Sequence, residues 1–258
     1  MECTPNEGED GGTSPEFLNG NKTDLQQLRD AKPDLISHLI NSTPNDAAGR
    51  ELLYGESRLI ISAGSETTST ALTFIFMQLA TNPTYMRAIR EEFRQNAATY
   101  HCQRSQPLLD AVIHESMRLW PSVFFASQRV TPPEGINING RFIPGNMIIQ
   151  MPSFPILRDA RNFVHPDEFI PERWTDKPEL VLNRQVFMPF SIGPYNCAGK
   201  GLAMMELRSV IGRVVREFDV VLPEDCEAEK YWNGIMDHFT AGAPRQRVRF
   251  VRAGDLAP

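Results

Sequence analysis

The chain has 258 residues, 41% of them hydrophobic, and a formal net charge of −6. That is enough apolar material for one large core or two small ones, and the mild acidity, with no basic tract or aromatic-basic interleaving, gives no reason to expect a nucleic-acid partner. The four cysteines, Cys3, Cys102, Cys197 and Cys226, lie far apart with no C-x-x-C pair, which signals neither a zinc site nor a disulfide framework and fits a reducing, intracellular compartment.

Residues 1–22 are rich in Gly, Glu, Asn and Thr and read as a disordered arm, with the folded part expected over 23–258. No stretch reaches the roughly 18 apolar residues needed to cross a bilayer, and the acidic Met1–Gly12 does not read as a signal peptide. Asp24 to Asn41 is weakly amphipathic and is predicted helical, with Pro33 interrupting the period. Glu51 to Asn82 is the longest helical segment and ends before Pro83. Ala63-Gly64-Ser65-Glu66-Thr67-Thr68 stands in its middle, where a glycine costs about 1 kcal/mol relative to alanine and threonine is also a poor helix former. Such a sequence predicts either a local opening of the hydrogen-bond ladder, with hydroxyls free to hold water or ligand, or a solvent-facing polar turn.

A charged helix is expected over Thr84 to Ala97 and a polar loop over Tyr100 to Gln106. Another helix, Gln106 to Leu119, carries Glu115 and Arg118 three residues apart on one face. They read as a surface ion pair, or as a buried pair whose guanidinium needs a third partner. Asn139-Gly140 between Ile136-Asn137-Ile138 and Arg141-Phe142-Ile143 is a hairpin signal, and Met147 to Met151 a further strand.

Phe190-Ser191-Ile192-Gly193-Pro194-Tyr195-Asn196-Cys197-Ala198-Gly199-Lys200 then places one cysteine in a glycine- and proline-shaped loop, just before a stretch of helical period from Leu202 to Phe218. A thiolate there is stabilised by loop N–H groups and by the positive end of the helix dipole, which suits a metal-bound sulfur. A small buried hydrophobe is the other reading of a lone cysteine.

Phe190-Ser191-x-Gly193-Pro194-x-x-Cys197-x-Gly199 resembles the haem-binding loop of the cytochrome P-450 superfamily, and three further segments resemble that family's motifs in the family's order. The first implies haem b with Cys197 as axial ligand of its iron, and Phe190, Gly193, Tyr195 and Gly199 in the loop around it. The segment Ala63 to Thr68 resembles the distal-helix motif. It implies that Ala63 and Gly64 lie against the cofactor, that Glu66 feeds protons and that Thr67 donates a hydrogen bond during dioxygen activation. Glu115-x-x-Arg118 and Pro171-Glu172-Arg173-Trp174 resemble the segments that build a structural triad of Glu115, Arg118 and Arg173. Arg129 occupies the place of an arginine that binds a haem propionate. Val123, Phe124 and Phe125, with Phe239 and Thr240, fall where the family lines its substrate pocket, ordinary core being the other reading of each. Lys200, Arg208, Arg213 and Arg216 share the outer face of the helix after Cys197, either as a simple solvated face or as a dock for an electron donor.

The resemblance implies a mainly α fold with small β-sheets (α+β), the C-terminal part of the P-450 fold. The implied function is a haem-dependent monooxygenase that takes electrons from NADPH through a flavoprotein reductase and uses dioxygen to oxidise a small apolar organic substrate in fungal secondary metabolism. A truncated, catalytically inactive haem-binding relic or partial gene product is the other reading. Two positions depart from the pattern. Tyr195 replaces the usual Arg or His, offering an uncharged hydroxyl in place of a charge pair, and Leu157 stands where a histidine is more usual. The Gly-Pro-Tyr-x-Cys loop and the Arg-Trp pair resemble fungal members. The resemblance runs from about Asp34 to Arg252, the C-terminal half of a full member, and implies that the early helices and the endoplasmic-reticulum anchor of full-length relatives lie outside this sequence.

Overall fold

The computed structural model describes residues 34–95, 104–125 and 128–254. The predicted arm over 1–22 and the first part of the Asp24–Asn41 helix lie outside the described residues. Two compact units divide between Ser62 and Ala63. In the first, helix α1 (Leu35–Ser42) starts on a capping box in which Asp34 accepts from the Ser37 N–H and the Ser37 hydroxyl accepts from the Asp34 N–H, both at 2.8 Å. Helix α2 (Ala47–Thr81) begins here and continues into the second unit.

The second unit is mainly helical with four two-stranded antiparallel sheets, an α+β fold. After α2 come α3 (Pro83–Gln95) and α4 (Pro107–Leu119). No side chain of its own chain start caps α4. The Glu92 carboxylate of α3 does so, accepting from the N–H groups of Leu108 and Leu109 at 2.9 and 3.4 Å, which ties the two helices together. Strands β1 (Arg129–Val130) and β4 (Ile148–Ile149) pair around the hairpin of β2 (Ile136–Ile138) and β3 (Arg141–Ile143). The hairpin turns at Asn139 and Gly140, both with positive φ (50° and 81°), the conformation that a two-residue turn demands. Helix α5 (Ser153–Leu157) and three 3-10 turns lead to α6 (Lys200–Glu217). Strand β5 (Phe218–Val221), helix α7 (Ala228–Asn233), the β6–β7 hairpin (Met236–His238, Thr240–Gly242) and β8 (Arg249–Arg252) complete it, with β8 returning to pair β5.

The C-terminal third of α2 is apolar nearly all round and is buried between two clusters. Ala71, Ile75 and Leu79 join Met86, Ile89, Val112, Ile113, Leu207, Ile211 and Val215 in a core shared by α2, α3, α4 and α6. Phe74 and Met77 join Phe124, Tyr231 and Ala241 in a second, aromatic one, where Trp120 and Trp232 stack at 4.7 Å and 12°. The first core packs α2, which carries Ala63–Thr68, together with α6, which follows the Cys197 loop. No described helix is long and apolar enough to cross a membrane.

Candidate functional site

The cysteine loop is shaped by its backbone. Ser191 (φ 59°) and Gly193 (φ 83°) turn the chain, and Gly193 is the residue type that does so without strain. The Cys197 N–H closes the loop on the Phe190 carbonyl at 2.8 Å, and the Asn196 N–H donates to Gly193 O at 3.1 Å. Helix α6 starts at once, with Gly199 at its N-cap and no side chain capping it, and the Lys200 N–H donates to Cys197 O at 3.4 Å. Ser191 through Lys200 are all exposed, and the Cys197 thiol makes no hydrogen bond among the described residues. The reading of Cys197 as a small buried hydrophobe is therefore wrong for this fold. Phe190 is half-buried against the first core with the Lys200 ammonium 5.9 Å from its ring, whereas the Tyr195 side chain is 82% exposed. A Cβ on Gly199 would meet the sulfur at 3.8 Å, so glycine keeps that flank of the thiol open.

The segment Ala63–Thr68 is helical at every residue, and no opening of the ladder occurs there. Two hydroxyls bond back into the helix: that of Thr67 donates to Ala63 O at 2.6 Å and that of Ser69, just beyond the segment, to Glu66 O at 3.0 Å. The Thr67 oxygen thus keeps its lone pairs for accepting, and donates elsewhere only by releasing Ala63. A Cβ on Gly64 would meet nothing within 4 Å, so the backbone there faces open space. The loop after α4 and strand β7 reach this turn. Ser122 Oγ donates to Thr67 O at 2.8 Å, Thr240 Oγ1 donates to the Glu66 carboxylate at 3.3 Å, and the Ala241 N–H joins the strand to the loop through Ser122 O at 2.8 Å. The neighbours of these residues separate in environment: Phe124 is buried in the aromatic core, Val123 is half-buried, and Phe125 and Phe239 are exposed, at 44% and 66%. Ser122 has no sequence signal, because its partner lies 55 residues away.

Glu115, Arg118 and Arg173 come together with no side-chain exposure. Arg118 forks onto both Glu115 oxygens at 2.8 and 3.0 Å, and Arg173 Nε donates to Oε1 at 2.9 Å. The Trp174 indole N–H and the Ile170 N–H also donate to Glu115, at 2.9 and 3.0 Å. The remaining guanidinium donors go to backbone carbonyls: Leu157, Pro166 and Glu168 for Arg118, and Val164, His165 and Leu180 for Arg173. Leu157, where a histidine was expected, is buried and contributes its carbonyl to this set. Burial lowers the Arg173 guanidinium below its ordinary value, and Glu115 opposes the shift. Two loops that have little regular structure are thereby pinned to α4.

The basic face of α6 needs one correction. Arg208 is drawn inward by the buried Asp110 of α4, with two contacts of 2.7 and 2.8 Å, so it serves the core and not a partner. Arg213 stays exposed. Arg129, on β1, is exposed and donates to Gln128 O, with no carboxylate partner among the described residues.

The donor set fits haem. Among the described residues no group of three or more His, Cys, Asp or Glu could hold a metal ion, yet a single unpaired thiol stands at a helix start. One protein ligand suffices where a macrocycle supplies the equatorial ones, and Gly64 and Gly193, each with open space where a Cβ would project, leave room for a flat group on the chain. Comparison with known proteins agrees. The family described as Cytochrome P450 matches residues 14–239. Cytochrome P450 monooxygenase phqL of Penicillium fellutanum is 41% identical over 192 residues, which is 74% of this chain and 34% of that protein. Cytochrome P450 monooxygenase nodW of Hypoxylon pulicicidum is 43% identical over 194 residues (73% and 36%), and the Tryprostatin B 6-hydroxylase of Neosartorya fischeri 36% over 242 (89% and 44%). The chain belongs to the cytochrome P450 family. It spans between about a third and a half of the length of the curated relatives it matches.

Proposed function

We propose that this chain carries the haem-thiolate centre of a fungal monooxygenase, with Cys197 as the iron ligand. The supporting observation is the exposed Cys197 thiol, unpaired among the described residues and held by the Cys197 N–H to Phe190 O bond at the uncapped start of α6. Bound haem supplies the redox iron at which dioxygen is reduced and an oxygen atom is made available to an organic substrate. The chain's own residues bind and orient around it. Phe190 gives the sulfur an apolar neighbour, and Gly193 and Gly199 keep the loop backbone clear of bulk. Arg129 is the candidate for a propionate carboxylate, its fork being free of any carboxylate in the described fold. Glu66, open to solvent, takes a proton from water and passes it inward, while the Thr67 oxygen accepts one hydrogen bond and exchanges its donation to Ala63 for another acceptor. The Glu115–Arg118–Arg173 cluster holds the loops of the 155–180 region to α4 and has no chemical role.

Electrons come from NADPH through a flavoprotein reductase, and the substrate is a small apolar organic molecule of secondary metabolism, a class in keeping with the hydroxylase name of one relative. Phe125, Phe239 and the half-buried Val123 are the proposed pocket residues. Phe124 supports them from the core. The test is the carbon monoxide difference spectrum of the haem-loaded, reduced chain. Wild type gives the thiolate-type band and Cys197→Ala loses it, with haem still bound or not. A variant that kept the band would remove Cys197 from the iron.

A further inference from the structure

We infer that Thr240 is a positioning residue for Glu66, and that the β6–β7 turn exists in its strained form to put the Thr240 hydroxyl there; this rests on the proton-carrying role proposed for Glu66. A glutamate on the open face of a helix has three rotatable bonds, and fixing it costs side-chain entropy. Without a partner its carboxylate spends most of its time in orientations that carry no proton inward. The only side chain that donates to it among the hydrogen bonds of the described residues is Thr240, at 3.3 Å. That is long for a hydroxyl on a carboxylate, so the contact guides the side chain and does not clamp it.

The backbone around Thr240 is specialised for this contact. His238 pairs with Thr240, so the hairpin turns on Phe239 alone, at φ 77°. Phenylalanine is a rare occupant of that region, and such conformations persist where surrounding structure over-determines them. Here the turn is held on both sides. The Phe239 N–H donates to the Asp237 carboxylate at 3.0 Å, and the Ala241 N–H donates to Ser122 O at 2.8 Å. Ser122 in turn donates to Thr67 O, one residue beyond Glu66. The hairpin, the loop after α4 and the acid-bearing turn of α2 therefore form one ring of contacts. A wider turn at Phe239 would move Thr240 out of step with Ala241, which is anchored.

Two measurements on the full chain test the inference. The first needs no cofactor. The carboxylate stretch of Glu66, found in the infrared spectrum of the apo chain by difference from Glu66→Gln, moves in Thr240→Val, which keeps the shape and removes the hydroxyl, and returns in Thr240→Ser. A band that stays in place in Thr240→Val overturns the inference. The second follows NADPH oxidation by the haem-loaded chain with reductase. Thr240→Val slows it about twofold, the low end of the range for one hydrogen bond as suits so long a contact, and enlarges its solvent isotope effect. Thr240→Ser recovers both. Loss in valine without recovery in serine assigns Thr240 to packing and overturns the positioning role. A chain that shows the infrared pairing but no thiolate-type carbon monoxide band separates the two ideas: the contact stands, and the monooxygenase reading falls.

Discussion

Replacing Arg173 by methionine removes the guanidinium and keeps most of the stem. Its four hydrogen bonds go, one charge-assisted to Glu115 at 2.9 Å and three to the carbonyls of Val164, His165 and Leu180 at 3.0–3.2 Å. Glu115 keeps the Arg118 fork and the donors of Ile170 and Trp174, so its charge is not abandoned. Val164 O loses its donor among the described residues, however, and His165 O and Leu180 O are left with only the N–H groups of Glu168 and Val164, at 3.3 and 2.9 Å. Losing four hydrogen bonds from one buried guanidinium, each worth about 1.5–3 kcal/mol when a charged group is involved but not additive, costs about 3–5 kcal/mol in all, against a total stability of about 5–15 kcal/mol for a domain. With a urea slope of about 1–3 kcal/mol per molar, the midpoint of unfolding falls by about 1–5 M. Urea titration followed by tryptophan fluorescence measures it directly, since Trp174 lies in the cluster. The control is Arg247→Met, whose ion pair with Asp225 is mostly exposed and whose loss costs about 1 kcal/mol or less. An Arg173→Met midpoint no lower than that of the control would refute the claim that this cluster holds the loops in place.

His114 is half-buried beside Trp174 and Phe187, at ring distances of 5.6 and 5.5 Å, and the loss of water around it lowers its imidazole from the ordinary value, with Asp110 opposing and Arg208 assisting. The unfolded chain therefore binds the proton first as pH falls, and His114 removes stability below the ordinary imidazole value near ~6.5. Urea midpoints at pH 7.5 and 5.5 should differ more in wild type than in His114→Phe; equal differences would show that His114 contributes nothing to the slope. Trp174→Phe removes the indole donor to Glu115 and leaves the ring contacts, so the loss should be about 1.5–3 kcal/mol, the range for a hydrogen bond to a charged group. Differential scanning calorimetry would read it, and a melting temperature unchanged from wild type would show that the indole N–H is not needed by Glu115.

Local rules carried much of the fold. Asn139-Gly140 between two short apolar runs is a turn whatever surrounds it, and the β2–β3 hairpin lies where that rule puts it. The helices from Pro83 and Pro107 and the one after Cys197 follow apolar period and proline position, both written within a dozen residues. The long helix shows the limit of propensity. Gly64, Thr67 and Thr68 are poor helix formers, and back-bonding by the Thr67 and Ser69 hydroxyls does not favour the helix either, yet Ala63–Thr68 stays helical because the apolar stretch that follows is packed on two sides. The β5–β8 pair, whose strands are nearly thirty residues apart, has no local signal of its own.

The sequence by itself determined which residue types stand at which spacing: a thiol before a helix, an acid next to an alcohol, an i,i+3 pair of opposite charge. Tertiary structure alone decided their surroundings. It left the thiol open, buried Glu115 and Arg118 completely, turned Arg208 from the α6 surface to Asp110 across 98 residues, and brought Thr240 to Glu66 across 174. The physical reason is that period and turn preference come from backbone sterics over a few residues, whereas the partner of a charge or hydroxyl is chosen by which groups lose water together when distant segments pack.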